Sequence, residues 1–112
     1  MTRRRVLWTR SSRRDLEAIL SYLADRSLEA ATATLDRLER RAASLATLAD
    51  RGRVVPELAR LHVRHYRELI VAPYRILYRI RERQVLVLAV LDGRRSLEDV
   101  ILQRLIGTED EP

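Results

Sequence analysis

HYRELIVAPYRILYRIRERQVLVLAVLDGRR, residues 65–95, is the stretch that decides the fold. Three apolar runs are separated by two short polar breaks. The first, Leu69 to Val71, ends at Ala72-Pro73, where proline has no N–H to give a ladder, so a turn belongs there. The second run, Tyr74 to Ile80, alternates. Tyr74, Ile76, Tyr78 and Ile80 point one way, and Arg75, Leu77, Arg79 and Arg81 the other. Glu82-Arg83 is too polar to bury and short enough to close a hairpin. The third run, Val85 to Leu91, is apolar on both parities, as in a strand covered on both faces. The β-branched and aromatic content supports a three-stranded antiparallel meander.

Upstream, Met1 to Arg4 reads as a loose basic end. Arg5 to Thr9 (RVLWT) suits one strand, with Val6 and Trp8 on one face, although its place in the sheet stays open. Thr9 offers an N-cap to a helix in which Leu16, Ile19, Leu20 and Leu23 recur at helical spacing and Tyr22 flanks the stripe. Asp15 and Glu17 are expected near its start, where they suit the helix dipole. Ser27 caps a second helix with Glu29 in its first turn. Ala31, Leu35, Leu38, Ala42 and Leu45 form the inner stripe, and Gly52 is the expected C′ residue. So short a break between helices predicts a helical hairpin. The stripe covers too few heptads for a coiled coil, so packing on the sheet is the expectation.

Val54 to Val63 is read as a connection containing Pro56. Downstream of the meander, Ser96 with Asp99 fits a capping box before Val100, Ile101 and Leu105, and Gly107 should stop that helix. The fold class is therefore α+β: one domain over residues 1–112, ordered β-α-α-β-β-β(-α), whose acidic residues 107–112 form a flexible tail. Trp8, Leu16, Ile19, Leu20, Leu23, Leu35, Leu38, Leu45, Ile76, Tyr78, Val85, Val87 and Ala89 are expected to share one core.

At 112 residues the chain is large enough for one core. Cysteine is absent, which excludes a disulfide framework and a thiolate site. No segment approaches a membrane span and no signal peptide is seen, so the cytoplasm is the expected compartment. All 22 basic residues are arginine, against 16 acids. Glu109, Asp110 and Glu111 sit at the end, so the body of the chain carries a surplus of nine positive charges. Such a body associates quickly with a polyanion or an acidic protein. His62 and His65 lack a partner carboxylate or thiol at ligand spacing, so neither a metal nor another cofactor is expected. There is no phosphate-binding loop, dinucleotide fingerprint or nucleophile elbow. Metal-free RNA cleavage is the one enzymatic chemistry to weigh. It needs a base, an acid and cations for the developing phosphate charge, and arginines on one sheet face suit the last requirement.

YRELIVAPYRILYRI followed by VLVLAVLDGRR resembles the sheet of the RelE/ParE superfamily, the toxins of bacterial type II toxin–antitoxin pairs. WTRSSRRDLEAILSYLA, SLEAATATLDRL and GRVVPEL resemble that family's two helices and the lead-in to its meander, so the likeness runs from about Arg5 to Ile106. In the RelE-type ribosome-dependent RNases, the resemblance places catalytic cations at Arg75 and Arg95. It also places the family's two lysines at Glu68 and Ile70, its tyrosine at Ile101 and a frequent histidine at Asp92. Those four positions depart from the pattern. Asp92 beside Arg94 and Arg95 makes a weak base and reads better as half of an ion pair. ParE-like toxins share the two arginines but poison DNA gyrase. The resemblance therefore implies a ParE-like toxin of a plasmid-stabilisation type of module, not an enzyme, neutralised by a cognate antitoxin. The alternative is a RelE-like endonuclease acting on ribosome-bound mRNA through Arg75, Asp92, Arg94 and Arg95. Arg75, Leu77 and Arg79, together with Leu35 and Leu38, are the expected docking residues for an acidic, amphipathic antitoxin segment.

Overall fold

In the computed structural model, which describes residues 3–93 together with Leu97 and Arg104, the chain begins as strand β1 (Arg5–Trp8). Thr9 ends that strand and caps helix α1 (Arg10–Ala24). Its hydroxyl accepts from the Ser12 N–H at 3.2 Å and donates to the Val87 carbonyl at 3.1 Å. Ser27 does the same for α2 (Leu28–Ala43), accepting from the Ala30 N–H at 3.1 Å, and Glu29 lies in the first turn as expected. The first turn of α1, by contrast, carries no acid. Asp15 falls past it and serves the sheet instead, as described below.

Beyond α2 the sequence reading needs correction. The helix gives way to two 3-10 turns (Ser44–Ala46 and Ala49–Arg51), so Gly52 does not terminate it. The presumed connection then holds two elements: strand β2 (Arg53–Val54) and a one-turn helix, α3 (Pro56–Ala59), with Pro56 in its first turn. Neither is long enough to show a hydrophobic period, which is why the pattern missed them. The meander follows as predicted: β3 (Tyr66–Val71), β4 (Tyr74–Arg81) and β5 (Gln84–Asp92). The turn at Ala72-Pro73 contains a cis peptide, and Glu82 has a positive φ of 55° in the second turn. The sheet order is β1-β5-β4-β3-β2. β1 runs parallel to β5, with Arg5 beside Gln84 and Trp8 beside Val87, and the other pairings are antiparallel.

One irregularity controls the core. Leu77 pairs with Ala89 while its neighbour Tyr78 pairs with Val87, which leaves Leu88 as an extra residue in β5. Such a bulge reverses the parity of the strand beyond it. Val85, Val87 and Val90 therefore pack with Leu38, Leu45, Ile76 and Tyr78 under the helices. Leu86, Leu88, Ala89 and Leu91 pack on the opposite face with Leu77, Val55, Leu58 and Leu97. The expected single core is thus two, with Ala89 in the second. Trp8, Leu16 and Ile19 border the first core half-buried, and Leu20, Leu23 and Leu35 are half-buried too. The expected last helix lies outside the described residues except at Leu97 and Arg104, which are helical.

Two polar links close the frame. β1 stops opposite Val87, so the next edge groups of β5 have no strand partner there. The Asp15 carboxylate accepts from the Val90 N–H at 2.9 Å and from two Arg104 nitrogens at 2.8 Å each, and Arg104 also donates to the Leu88 carbonyl at 2.9 Å. On the helical side, the fully buried Tyr78 hydroxyl donates to the Ala49 carbonyl at 2.6 Å and accepts from the Gly52 N–H at 3.0 Å. Burial pushes the Tyr78 phenol up from its ordinary range. Tyr78→Phe strands both backbone groups away from water and is expected to cost about 1–3 kcal/mol of unfolding free energy. A shifted urea midpoint at unchanged slope checks this. A midpoint equal to the parent's would mean that the two backbone groups find other partners.

Candidate functional surface

The sheet face opposite the helices carries a chain of alternating charges. Arg53 on β2, Glu68 on β3 and Arg75 on β4 are brought side by side because β2 pairs Arg53 with Glu68 and β3 lies against β4. Glu57 arrives from above on α3. Arg53 donates through Nε to Glu68 Oε2 at 2.6 Å, and Arg75 donates through Nε to Glu68 Oε1 at 2.6 Å. The two terminal nitrogens of Arg75 form a fork on Glu57, at 2.8 and 2.9 Å. The Glu68 side chain is fully buried, whereas Arg75 and Glu57 retain 16% and 23% of their side-chain exposure. Burying a carboxylate alone is prohibitive, and the two guanidinium groups make it tolerable. The fork from Arg75 holds the Glu57 carboxyl below its usual range, and Glu57 in turn pushes the Arg75 pKa further up.

The chemical consequence concerns Arg75. Its donors are directed at carboxylates of its own chain, and the four side chains sum to zero charge. A phosphate would have to displace Glu57 to use the fork. Asp92, the expected base, pairs across β5 with Tyr74, whereas Arg75 pairs with Leu91. Adjacent residues of a strand face opposite ways, so Asp92 and Arg75 project from opposite faces. The Tyr74 phenol is pushed up chiefly by burial, with the Asp92 charge adding to the rise and that of Arg37 on α2 opposing it. Arg94, Arg95 and Ile101 lie outside the described residues.

The expected docking residues are placed unequally. Leu77 is 1% exposed beneath Val55 and Leu58, and Leu38 is fully buried, so the apolar patch expected around Leu77 is covered by α3 and its neighbours. Leu35 is half-buried, and so is Arg79, whose guanidinium lies 5.9 Å from the centre of the Tyr66 ring. Large apolar side chains exposed on the described surface include Tyr22 on α1, Leu28 on α2 and Ile70 on β3. Glu57 and Arg53 were missed in the sequence because strand pairing and the one-turn helix assemble the network. The one available signal was Pro56-Glu57, a proline and an acid in helix-opening order. Among the described residues, no cluster of His, Cys, Asp or Glu could hold a metal ion. Nor does any described helix have the length and apolarity to cross a membrane.

None of the curated proteins compared with the chain matches it. A solved structure described as "Chromosomal ParDE TA system from P. aeruginosa" superposes with a TM-score of 0.65 over 80% of this chain and 95% of that one, at 22% identity. At that identity the likeness speaks to the fold, a small α+β domain on a five-stranded mixed sheet. Residues 6–97 match the family described as "ParE toxin of type II toxin-antitoxin system, parDE". That span takes in both helices, the charge network and the whole meander, and the chain belongs to the ParE toxin family of type II toxin–antitoxin systems.

Proposed function

We propose that this ParE-family toxin acts in the cytoplasm as a protein inhibitor of DNA gyrase and not as an RNase. The observation that carries the reading is the neutralisation of Arg75 by Glu57 and Glu68. Cleavage needs a free cation beside a proton-transfer group. Among the described residues the candidate cation, Arg75, is occupied, and Asp92 projects from the other face. Loss of a general acid or base typically costs 10²–10⁴-fold in rate, so negligible RNA cleavage is expected. Purified protein added to gyrase should suppress supercoiling, and induced expression should block replication while translation continues at first. Arrest of translation within minutes, with mRNA cut at the ribosomal A site, would reverse the assignment in favour of the RelE-like alternative.

The same reading includes a cognate antitoxin. Its acidic, amphipathic segment is proposed to fold onto the helical hairpin and the adjoining sheet. Of the expected docking residues, Arg79 and Leu35 offer accessible surface, while Leu38 and Leu77 support it from beneath and Arg75 shares its charge with Glu57. Charge steering makes association fall with salt. Arg79→Glu is expected to slow the association rate, measured by stopped-flow, and an unchanged rate would place the antitoxin elsewhere.

A further inference from the structure

We infer that the end of the sheet at the β4–β5 turn is a binding surface for the phosphodiester backbone of nucleic acid. Much of the arginine in this chain is spent internally: Arg53 and Arg75 on carboxylates, Arg104 on Asp15, Arg40 on Asp36, Arg37 and Arg67 on backbone carbonyls. The turn end gathers several exposed arginines in one place. Arg3, Arg5, Arg81 and Arg83 are all exposed, and among the described residues no ion pair or side-chain hydrogen bond engages any of the four guanidinium groups. Arg4 and Arg51 border them, and the acids nearby in sequence are Asp50 and Glu82.

These cations are held on rigid backbone. The Arg4 N–H donates to the Ala46 carbonyl at 2.7 Å and the Arg5 N–H to the Arg83 carbonyl at 2.9 Å, while the Arg4 side chain donates to the Glu82 carbonyl at 3.1 Å. Arg5 pairs with Gln84 on β5, which pairs with Arg81 on β4. Cross-strand partners share a face, so Arg5 and Arg81 flank Gln84 on the face opposite the helices, about 10 Å apart at two strand spacings. The result is a cluster of arginines anchored on paired backbone, and the guanidinium fork matches phosphate bidentately.

An acidic protein is the competing partner, and the surface suits it poorly. Protein interfaces depend on buried apolar or aromatic anchors, and among the described residues the exposed large apolar side chain bordering Arg4 and Arg51 is Leu48. Charge without anchors is the signature of sequence-independent backbone binding.

The test is fluorescence anisotropy of the full-length chain with a labelled 20-base-pair duplex of arbitrary sequence, from about 50 to 200 mM salt, with single-stranded RNA and polyglutamate as parallel probes. Four phosphate contacts predict a slope of log K on log salt of about −3.6, at roughly −0.9 per contact. Arg5→Gln/Arg81→Gln/Arg83→Gln should flatten it by about 2.7 units on the same basis. The charge-matched control, Arg10→Gln/Arg13→Gln/Arg26→Gln, alters exposed arginines on α1 and just past its end and should leave the slope near the parent's. Comparison of duplex and RNA identifies the preferred strand form, and binding of either with this dependence supports the assignment. No binding to either at the lowest salt overturns it. So does equal weakening by the control, which would mean diffuse charge, and so does polyglutamate bound as tightly through the same arginines.

Discussion

Arg75→Leu is expected to destabilise the fold by about 3–5 kcal/mol, the range for breaking a buried ion pair by removing one partner. Glu57 is partly exposed and can turn toward water, but the Glu68 carboxylate is fully buried and would keep only Arg53, itself 61% exposed. Native stability totals only about 5–15 kcal/mol, so the urea midpoint should fall steeply. The double variant Glu68→Leu/Arg75→Leu removes both buried charges and should recover most of the loss. If the double variant is as unstable as Arg75→Leu, packing and not the stranded charge is the cause. A pH effect accompanies this. The folded-state pKa of Glu57 lies below its unfolded value because Arg75 stabilises the ionised form. Its contribution is complete above the unfolded pKa, about 4.3, and drains away as pH falls below it toward the depressed folded value. Acid unfolding curves of the parent and Glu57→Gln should therefore converge at low pH, and curves that stay parallel would show that Glu57 contributes nothing through its charge.

Gly52→Ala is the second large effect. Gly52 is buried, with φ −77° and ψ 156°, so backbone strain is not its constraint. Space is. A β-carbon there would lie 2.7 Å from the Glu68 carbonyl oxygen and 2.8 Å from Tyr78 Cε1, and it would also crowd the Tyr78 hydroxyl. Neither a strand carbonyl nor a fully buried ring gives way easily. The expected cost is about 3 kcal/mol, combining overpacking at about 1–3 kcal/mol with a displaced buried hydrogen bond of similar size. Gly93→Ala is the internal control: among the described residues its β-carbon meets the Pro73 carbonyl at 3.4 Å, ordinary contact, and a change within about 0.5 kcal/mol is expected. Because the hydroxyl is part of the obstruction, Gly52→Ala should cost less in a Tyr78→Phe background. Strict additivity in that cycle would remove the hydroxyl from the explanation.

What could be read in advance followed local chemistry. Thr9 and Ser27 were recognisable as caps because the N-cap needs a short side-chain oxygen beside free backbone N–H groups. The meander was recognisable because proline at Pro73 and the polar pair Glu82-Arg83 interrupt runs with strand periodicity. Gly52 has the local signature of a helix end, since glycine after a helical stripe usually is one, but the 3-10 turns intervene. Asp15 has the sequence position of a residue serving the helix dipole, yet its partners lie on β5 and at Arg104, far off in sequence.

The site was less legible than the fold. Arg75 stands out as a candidate cation, yet its availability to a ligand depends on Glu57 and Glu68, which reach it through α3 and the pairing of β3 with β4. Leu77 has the alternation of an exposed position and is nevertheless interior, because α3 folds over it.

By itself, then, the sequence determined the order of the main elements, the N-caps of the two long helices and the turns of the meander, because each depends on residues within a few positions of one another. Tertiary structure alone decided that β1 lies parallel to β5, that the extra residue at Leu88 divides the core in two, and that Arg75 is neutralised from within. Each of these brings together groups that are distant in the chain. A carboxylate held against a guanidinium is invisible to periodicity, since its position is fixed by strand register and not by spacing along the sequence.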